Sequence, residues 1–493
     1  MFQKVSSILL LIFLTLTTTE IQAGKNVNSV FGVGYAVPGY AEKVSEMGAR
    51  WVKIPSVCWG RIEPTPPQDG KHFYRWKHLD GLIKEYQNAG FHIQIVIKSA
   101  CPWGTKGFAS PPESWRRSYP PKKEHWDDYY QFVYNLVERY DGDGYRDMPG
   151  LRYPIRYYEI ESEAQHHIFW AGTVGEYCQL LKTAYKAAKN AHPETKIILA
   201  GINFGSLFDD NPSPEDLMRK VGSLPKKYRR EMSFIRETLA MVNYYDVVDY
   251  HYNRDYTGAY SAVKWLREEM KKYGCQKEIW AGDTASVPWI TDVKYGDILK
   301  ILMNPSHPHH RKVSKWFRAE QAKLSVKKII VAVGLGIKKV ILESIRDFPS
   351  NAYTGVHRES WFLAGFFNED KTPRPVFYAY LQLVKKLENF QRVESLLRNG
   401  TYIYRVIFPD RKPMYIVWSE GKNRRIRLDI GCSHVKLEKV ITSETGKPNV
   451  ITMKVKEDKV ALSIDSTPVF VECVDEKAVG EDERVNTLSD VKN

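Results

Sequence analysis

The sequence predicts an α/β chain, a (β/α)8 barrel followed by a small antiparallel β-sandwich. Three observations lead to this fold class: eight short β-rich runs, long amphipathic runs between them, and a change of pattern after Phe390. The chain has 493 residues, which is enough for one large barrel and a further module. A doubly wound open sheet is the alternative, but the glycine-rich nucleotide loop that usually follows its first strand does not occur here.

The eight β-rich runs are short and contain many Val, Ile and Tyr residues, as buried parallel strands do. They are residues 30–36, 50–57, 92–98, 157–163, 196–202, 245–252, 278–284 and 338–345. Each is followed by a longer segment in which a helix fits, and this alternation is typical of a barrel closed by parallel strands.

Helical spacing of apolar residues predicts helices at several of these connections. They cover residues 76–89, 173–191, 261–273, 319–333 and 375–387. For the second of them, Thr173 is the expected N-cap and Glu176 its capping-box partner, and Pro193 ends the helix.

After Phe390, short alternating β-like runs come close together, separated by Asp, Gly and Lys turns. We therefore expect a barrel over residues 24–390 and a β-sandwich over 391–475. Cys432 and Cys473 are candidates for a disulfide within the sandwich. Residues 476–493 are polar and are expected to form a disordered tail.

The N-terminus has the features of a secretory signal peptide over residues 1–23. Lys4 supplies a positive charge, residues 8–16 are apolar, and Ala23 is a small residue at the expected cleavage point. An uncleaved anchor is the alternative. The signal predicts a secreted or periplasmic protein with no integral membrane contact after cleavage.

The charge and the cysteines exclude several classes of partner. Lys and Arg number 72 and Asp and Glu 58, so the net charge is +14, thinly spread over the chain. Because no Lys/Arg block or recognition motif stands out, we expect no nucleic-acid partner. None of the six cysteines lies in a CxxC pair, which argues against a zinc or iron–sulfur site.

The active site of a (β/α)8 barrel lies at the carboxyl ends of its strands. Two acids stand there, Glu163 at the end of strand four and Asp283 at the end of strand seven. Paired carboxylates suit glycoside hydrolysis, in which one protonates the leaving oxygen and the other attacks the anomeric carbon or activates water. Candidate substrate-binding residues at other strand ends are Trp59, Arg61, Lys98, Trp103, Ser162, His251, Tyr252 and Glu343. Trp rings suit stacking against sugars.

Five segments resemble those of one large glycosidase clan, in the same order. They read GARWVKIPSVCWGRIEP, FYRWKHLDGLIKEYQNAGFHIQIVI, YYEIESEAQHHIFWAGTVGEYCQLLKTAYKAAKNAHPETKIILAG, YDVVDYHYN and EIWAGDTA. The clan is that of the (β/α)8-barrel retaining glycoside hydrolases, clan A, which includes β-galactosidases, β-xylosidases and cellulases. The resemblance covers most of residues 30–390 and does not fix the family within the clan.

The resemblance implies a role for each matching position. Glu163 matches the acid/base glutamate, and Asp283 stands where the clan has a glutamate nucleophile. Ser162 replaces the usual asparagine before the acid/base. His251 and Tyr252 match strand-six residues that line the site, and either Lys53 or Arg61 matches the strand-two arginine.

The shorter Asp283 side chain leaves three outcomes open. Asp283 is a nucleophile on a shifted strand, or a base toward water that gives inversion, or the barrel binds sugar without hydrolysis. The distinction matters because retaining pairs stand about 5–5.5 Å apart and inverting pairs about 6.5–9.5 Å.

Strand alternation places Glu159, Glu161 and Glu163 on one face, where three unpaired acids could not be buried together. Lys53 and Lys98 are the candidate partners. We expect the neighbouring acids to raise the pKa of Glu163, which suits a general acid.

The sequence thus predicts a secreted glycoside hydrolase for polysaccharide degradation that needs no organic cofactor and no metal. The alternative is a non-hydrolytic carbohydrate-binding protein on a degenerate barrel, which the Ser162 and Asp283 departures favour. The partner is a carbohydrate. The basic segment 307–312 makes an acidic polysaccharide one candidate. The oligomeric state does not follow from the sequence.

Overall fold

The computed structural model describes residues 27–110, 115–290, 297–348, 360–397, 400–455 and 458–474. The predicted signal peptide, residues 1–23, and the predicted tail, residues 476–493, lie outside the described residues. Within them, no helix is long and apolar enough to cross a membrane.

Eight strands close into a barrel in sequence order, and the pairs for which a register is defined are all parallel. They are β1 (Phe31–Val33), β2 (Trp51–Cys58), β3 (His92–Lys98), β4 (Tyr157–Ile160), β5 (Lys196–Ile202), β6 (Val247–His251), β7 (Glu278–Ala285) and β8 (Val340–Glu343). Each lies at the run from which it was predicted, so the barrel prediction is confirmed.

The helices alternate with the strands along the chain. They are α1 (Ala41–Ser45), α2 (Trp59–Ile62), α3 (Lys77–Asn88), α4 (Trp126–Glu138), α5 (Val174–Ala191), α6 (Pro214–Ser223), α7 (Lys226–Leu239), α8 (Ala259–Lys272), α9 (Ile298–Met303), α10 (His310–Gly334) and α11 (Pro375–Lys386). Single 3₁₀ turns occur at Lys123–His125, Tyr256–Gly258 and Ser360–Leu363. The capping box at Thr173 and Glu176 is confirmed.

The helices differ from the prediction in extent and in number. Helix α10 begins at His310, before the expected start at 319, and its first turns were not predicted because they are strongly basic and lack an apolar stripe. Helix α7 was not predicted because charged residues dominate its sequence, although Met232, Ile235 and Leu239 recur at helical spacing and are buried.

The base of the barrel is apolar and its upper part is ionic. Trp51, Ile198, Val247, Trp280 and Ile341 form one buried cluster near the beginning of their strands. Side chains on alternate strand positions point to the same side. Two residues after Trp51 and Val247, the inward positions are therefore Lys53 and Asp249, which begin the polar layer.

The described residues divide into two compact units. The first holds residues up to 253, 261–284 and 338–342; the second holds 254–260, 285–337 and the residues from 343 onward. The second includes α10 and α11, which pack on each other. The expected domain boundary at residue 390 stays a prediction.

Antiparallel strands begin at Arg392, as expected for a C-terminal sandwich. They are β9 (Arg392–Ser395), β10 (Thr401–Ile407), β11 (Met414–Ser419), β12 (Arg424–Asp429), β13 (His434–Lys439), β14 (Asn449–Lys454), β15 (Lys459–Ile464) and β16 (Val469–Val474). Six form a sheet in the order β14-β13-β16-β11-β10-β9, and β12 pairs with β15. The predicted Cys432–Cys473 disulfide is present.

Candidate active site

The polar layer of the barrel is built around the ammonium group of Lys53, on β2. Lys53 Nζ lies 2.8 Å from Glu159 Oε2, 3.3 Å from Asp249 Oδ2 and 3.2 Å from Asp283 Oδ1. Burial alone would lower the pKa of Lys53, but the charges of Asp283, Glu159 and Asp249 outweigh it and hold that pKa well above its usual value. The expected pairing of Lys53 with a buried acid is confirmed.

Two glycines make room for this layer. A Cβ atom on Gly201 would lie 1.7 Å from His251 Nε2, and one on Gly282 would lie 2.1 Å from Asp249 Oδ2. Both distances are far below van der Waals contact. The glycines on β5 and β7 are therefore required by the ionic side chains that face them.

A second ion pair lies beside the first. Lys98 Nζ, at the end of β3, is 3.3 Å from Glu161 Oε2, and the Ser99 amide donates to Glu161 Oε1 at 2.6 Å. Lys98 was expected both as a partner for these acids and as a substrate-binding residue. The pairing is confirmed, and the Lys98 side chain is buried in it.

The turn after β4 carries the predicted acid/base. Strand β4 ends at Ile160. The alternation of side chains that was expected to include Glu161 and Glu163 therefore stops before them. Both residues instead adopt left-handed backbone conformations, with φ of 63° and 47°. Such conformations cost about 1–3 kcal/mol and cluster at functional sites. Ser162 lies between them and is half-buried.

His251, the last residue of β6, lies between Glu163 and Asp283. Its Nδ1 is 2.7 Å from Glu163 Oε1, and its Nε2 is 3.5 Å from Asp283 Oδ2 and 3.6 Å from Asp249 Oδ2. The His251 side chain is 1% exposed, whereas those of Glu163 and Asp283 are 12% and 10% exposed. The two predicted catalytic carboxylates thus reach solvent on either side of a buried ring.

The charge of this ring is set by its neighbours. Burial alone would lower the pKa of His251, but Asp283, Asp249 and the hydrogen bond to Glu163 raise it well above its usual value. The raised pKa favours the imidazolium form of His251, which would place a positive charge between the two carboxylates.

The pKa of Glu163 is lowered, not raised as expected. Burial raises it, but the hydrogen bond and charge of His251, the charge of His166 and the hydrogen bond from Asn203 together outweigh burial. Asn203 Nδ2 donates to Glu163 Oε1 at 2.9 Å. The prediction was wrong because it counted the neighbouring acids and left out these donors.

The aromatic residues differ in their availability to a sugar. Trp59 is fully buried, packs edge-to-face on Trp103 and Tyr129, and donates its indole N–H to Glu63 Oε2 at 2.9 Å. It therefore has a packing role rather than the expected stacking role. Trp103 is half-buried and donates its indole N–H to the Glu63 carbonyl at 2.8 Å.

The remaining predicted residues lie in different surroundings. Arg61 is exposed, with its guanidinium 4.7 Å from the centre of the Trp115 ring. Tyr252 is buried, stacks on Tyr250, and its amide donates to the Asp283 carbonyl at 2.7 Å. Glu343 is buried at the end of β8, in the second compact unit.

Four residues of the site were not predicted. Asp249 could have been found, because it lies two positions before His251 on the same strand. Asn203 could also have been found, because it directly follows β5. His166 Nδ1 lies 3.2 Å from Glu231 Oε1, and its Nε2 lies 3.7 Å from Glu163 Oε2. Glu231 lies on α7, where nothing in the sequence points to the site.

Three residues of the polar layer are of types that bind metal ions. Glu159, Asp249 and His251 each place one ligand atom within 4.8 Å of the others. However, the Lys53 ammonium already supplies positive charge here, 2.8 Å from Glu159 Oε2 and 3.3 Å from Asp249 Oδ2. The charge of these acids is therefore balanced from within the protein.

Structural comparison relates the chain to glycoside hydrolases. It superposes on a family 39 glycoside hydrolase from the gut symbiont Bacteroides cellulosilyticus WH2 with a TM-score of 0.60 and 14% identity, covering 90% of this chain and 81% of the other. A monomeric β-xylosidase from Caulobacter crescentus CB15 superposes with a TM-score of 0.54 and 13% identity, covering 91% of this chain and 97% of the other. A GH51 α-L-arabinofuranosidase from Thermotoga petrophila RKU-1 superposes with a TM-score of 0.54 and 12% identity, covering 88% of this chain and 89% of the other.

No family model matches the sequence, and no curated protein matches it. At such low identity the structural matches establish the fold. They confirm the resemblance to the clan A barrel at that level, and the chemistry of the site is a separate question.

Proposed function

We propose that this protein is a glycoside hydrolase in which Glu163 is the general acid/base and Asp283 is the nucleophile or the base. One observation carries the proposal. Glu163 lies in the turn after β4 and Asp283 near the end of β7 of a closed barrel; both carboxylates are partly exposed, and the buried His251 ring lies between them. A carboxylate pair at the carboxyl ends of barrel strands suits glycosidic bond cleavage.

Glu163 and His251 act as one proton-holding pair in this proposal. A proton on His251 Nδ1 is shared in a hydrogen bond with Glu163 Oε1, and the two heavy atoms are 2.7 Å apart. When a bound sugar excludes water, transfer of this proton to Glu163 neutralises both groups. Glu163 then gives a proton to the glycosidic oxygen as the carbon–oxygen bond breaks.

Asp283 completes the reaction at the anomeric carbon. Lys53 holds its Oδ1 at 3.2 Å, which fixes the carboxylate. In one route Asp283 forms a covalent bond to the anomeric carbon, and water, deprotonated by Glu163, later breaks it. In the other route Asp283 takes a proton from water, which attacks directly and inverts the anomeric carbon.

Binding without hydrolysis is the second candidate. Lys53 and His251 lie within 3.5 Å of the two oxygens of Asp283, and such contacts lower the nucleophilicity of a carboxylate. Ser162 is also shorter than the asparagine of the clan. Both features fit a barrel that retains a sugar without cleaving it.

The structural relatives indicate which substrates to test first. Two of them are described as a xylosidase and an arabinofuranosidase. We therefore propose aryl xylosides and arabinosides as the first substrates, followed by neutral and acidic polysaccharides. Secretion through residues 1–23 remains part of the proposal.

The test is hydrolysis of this panel by the purified protein lacking residues 1–23, beside the variants Glu163→Gln and Asp283→Asn. We expect each variant to lose at least about a hundredfold in kcat. Glu268→Gln, on the exposed side of α8, is the matched control and should retain full activity.

Each result assigns a role. The anomer first formed, followed by NMR, shows whether Asp283 is a nucleophile or a base. Saturable binding of a glycan without turnover would favour the binding protein. Turnover that is undiminished in Glu163→Gln would contradict the site.

A further inference from the structure

A second cluster of acids lies in the connection between α4 and β4. The sequence there is Asp-Gly-Asp-Gly-Tyr-Arg-Asp, beginning at Asp141. One carboxylate oxygen each of Asp141, Asp143 and Asp147 lies within 4.8 Å of the others. Three like charges at this distance repel each other unless a cation lies between them.

Two buried oxygens beside this cluster have no partner. Asp141 is 0% exposed, and its Oδ2 has no hydrogen-bond partner among the described residues; the same holds for Oε1 of Glu138, which is 4% exposed. A buried polar oxygen without a partner is costly. The charges of Asp143 and Asp147 act on the Glu138 carboxylate, which also forms a hydrogen bond with the Tyr134 side chain.

The backbone of the loop is already organised around the acids. Asp147 accepts hydrogen bonds from the amides of Gly142 and Gly144, at 2.9 and 2.7 Å. Both glycines have positive φ, 74° and 94°, which other residues rarely adopt. The loop therefore holds its carboxylates together despite their repulsion.

The position of the cluster makes the repulsion worse. Glu138 is the last residue of α4, and the carboxyl end of a helix carries partial negative charge. Of the basic residues, Arg146 acts on Glu138, but its guanidinium lies over the Tyr145 ring, 5.0 Å from the ring centre.

We propose that this loop binds a calcium ion through the carboxylates of Asp141, Asp143 and Asp147, with Glu138 as a further oxygen donor. Calcium takes six to eight oxygen ligands in flexible geometry, which suits a short loop of carboxylates and carbonyls. Magnesium demands near-ideal octahedral geometry and retains water, so it fits this set less well.

The role of the ion would be structural. The loop leads to β4, and Arg156, directly before that strand, donates to the Asp141 carbonyl at 2.5 Å. The Ile155 amide donates to the Tyr140 carbonyl at 2.8 Å. Connections at the amino ends of barrel strands serve stability rather than catalysis. Calcium should therefore change the melting temperature and leave the chemistry of Glu163 unaffected.

The experiment is calcium titration of the metal-free protein, prepared with a chelator, followed by calorimetry and thermal unfolding. We expect one site with a dissociation constant between about 1 μM and 1 mM. At saturating calcium we expect the melting temperature to rise by about 5 °C. Terbium, excited through Tyr145, provides a spectroscopic probe of the same site.

Two variants locate the ion. Asp141→Asn and Asp143→Asn should each weaken calcium binding by at least about tenfold, while the exposed Asp69→Asn, in another loop, should bind as the parent does. Because Asp143 is exposed, its variant will fold even if Asp141→Asn does not. No calcium heat and no thermal shift in the parent, an equal response to magnesium, or unchanged binding in Asp143→Asn would each overturn the proposal.

Discussion

The two acidic clusters of the first compact unit differ in how their charge is balanced. In the barrel, five acids lie with Lys53, Lys98 and His251, and each of these cations contacts one or more carboxylates within 3.6 Å. In the loop after α4, three aspartates lie together, and two nearby buried oxygens have no partner among the described residues.

The difference indicates different functions. A carboxylate whose counter-charge is part of the protein keeps a fixed position and a defined protonation state, as catalysis requires. A carboxylate cluster without built-in cations gains stability from a cation supplied by the solution. Substitutions in either cluster can test this distinction.

Removing the cation at the centre of the barrel should have the largest effect. Lys53→Met leaves Glu159, Asp249 and Asp283 without their shared ammonium group. We expect a loss of about 3–5 kcal/mol in the free energy of unfolding, measured in urea. Lys264→Met, at an exposed position on α8, is the control. A change below about 1 kcal/mol would show that the acids do not depend on Lys53.

Displacing His251 should reduce turnover. Gly201→Ala places a Cβ atom where the imidazole lies, so the ring must move away from Glu163 and Asp283. If the protein hydrolyses a glycoside, we expect kcat to fall by about a hundredfold. Gly81→Ala in α3, where an added Cβ meets nothing within 4 Å, should keep full activity and raise stability by up to about 1 kcal/mol. Equal kcat in both variants would contradict a positioning role for His251.

The Glu163–His251 pair should stabilise the protein most at intermediate pH and less at both lower and higher pH. The lowered pKa of Glu163 contributes stability that is present above its unfolded pKa, about 4.3, and is lost as pH falls through the folded value. The raised pKa of His251 contributes below about 6.5 and is lost as pH rises through its folded value. The stability difference between the parent and Glu163→Gln, from urea unfolding, should therefore be largest at intermediate pH. A difference that does not change with pH would show that the two groups do not interact.

Neutralising one acid should act in opposite directions in the two clusters. In the presence of a chelator, Asp143→Asn relieves repulsion and should raise the free energy of unfolding by about 0.5 kcal/mol. Glu159→Gln removes a partner of Lys53 and should lower it under the same conditions. The same sign for both variants would remove the distinction between the clusters.

Much of the fold could be predicted, because buried parallel strands leave a simple pattern. All eight barrel strands lie at their predicted runs, and the Thr173 cap and the Cys432–Cys473 bridge were also identified. Helix α7 was missed because charged residues dominate its sequence, although Met232, Ile235 and Leu239 form a buried face at helical spacing.

The site was predictable in its acids but not in their environment. Strand ends indicated Glu163, Asp283 and His251, but no pattern shows that the two His251 nitrogens face different carboxylates. The pKa of Glu163 therefore had the wrong expected direction. Trp59 illustrates the same limit, since its burial depends on Tyr129, far away in sequence.

The claim that Glu163 protonates the leaving group is tested most directly by changing the leaving group. Glu163→Gln and the parent would be compared on aryl glycosides whose phenols range from strongly to weakly acidic. We expect a loss of at least about a hundredfold in kcat/KM for the weakly acidic phenol and a much smaller loss for the strongly acidic one, which departs without a proton. An equal loss across the series would contradict proton donation by Glu163.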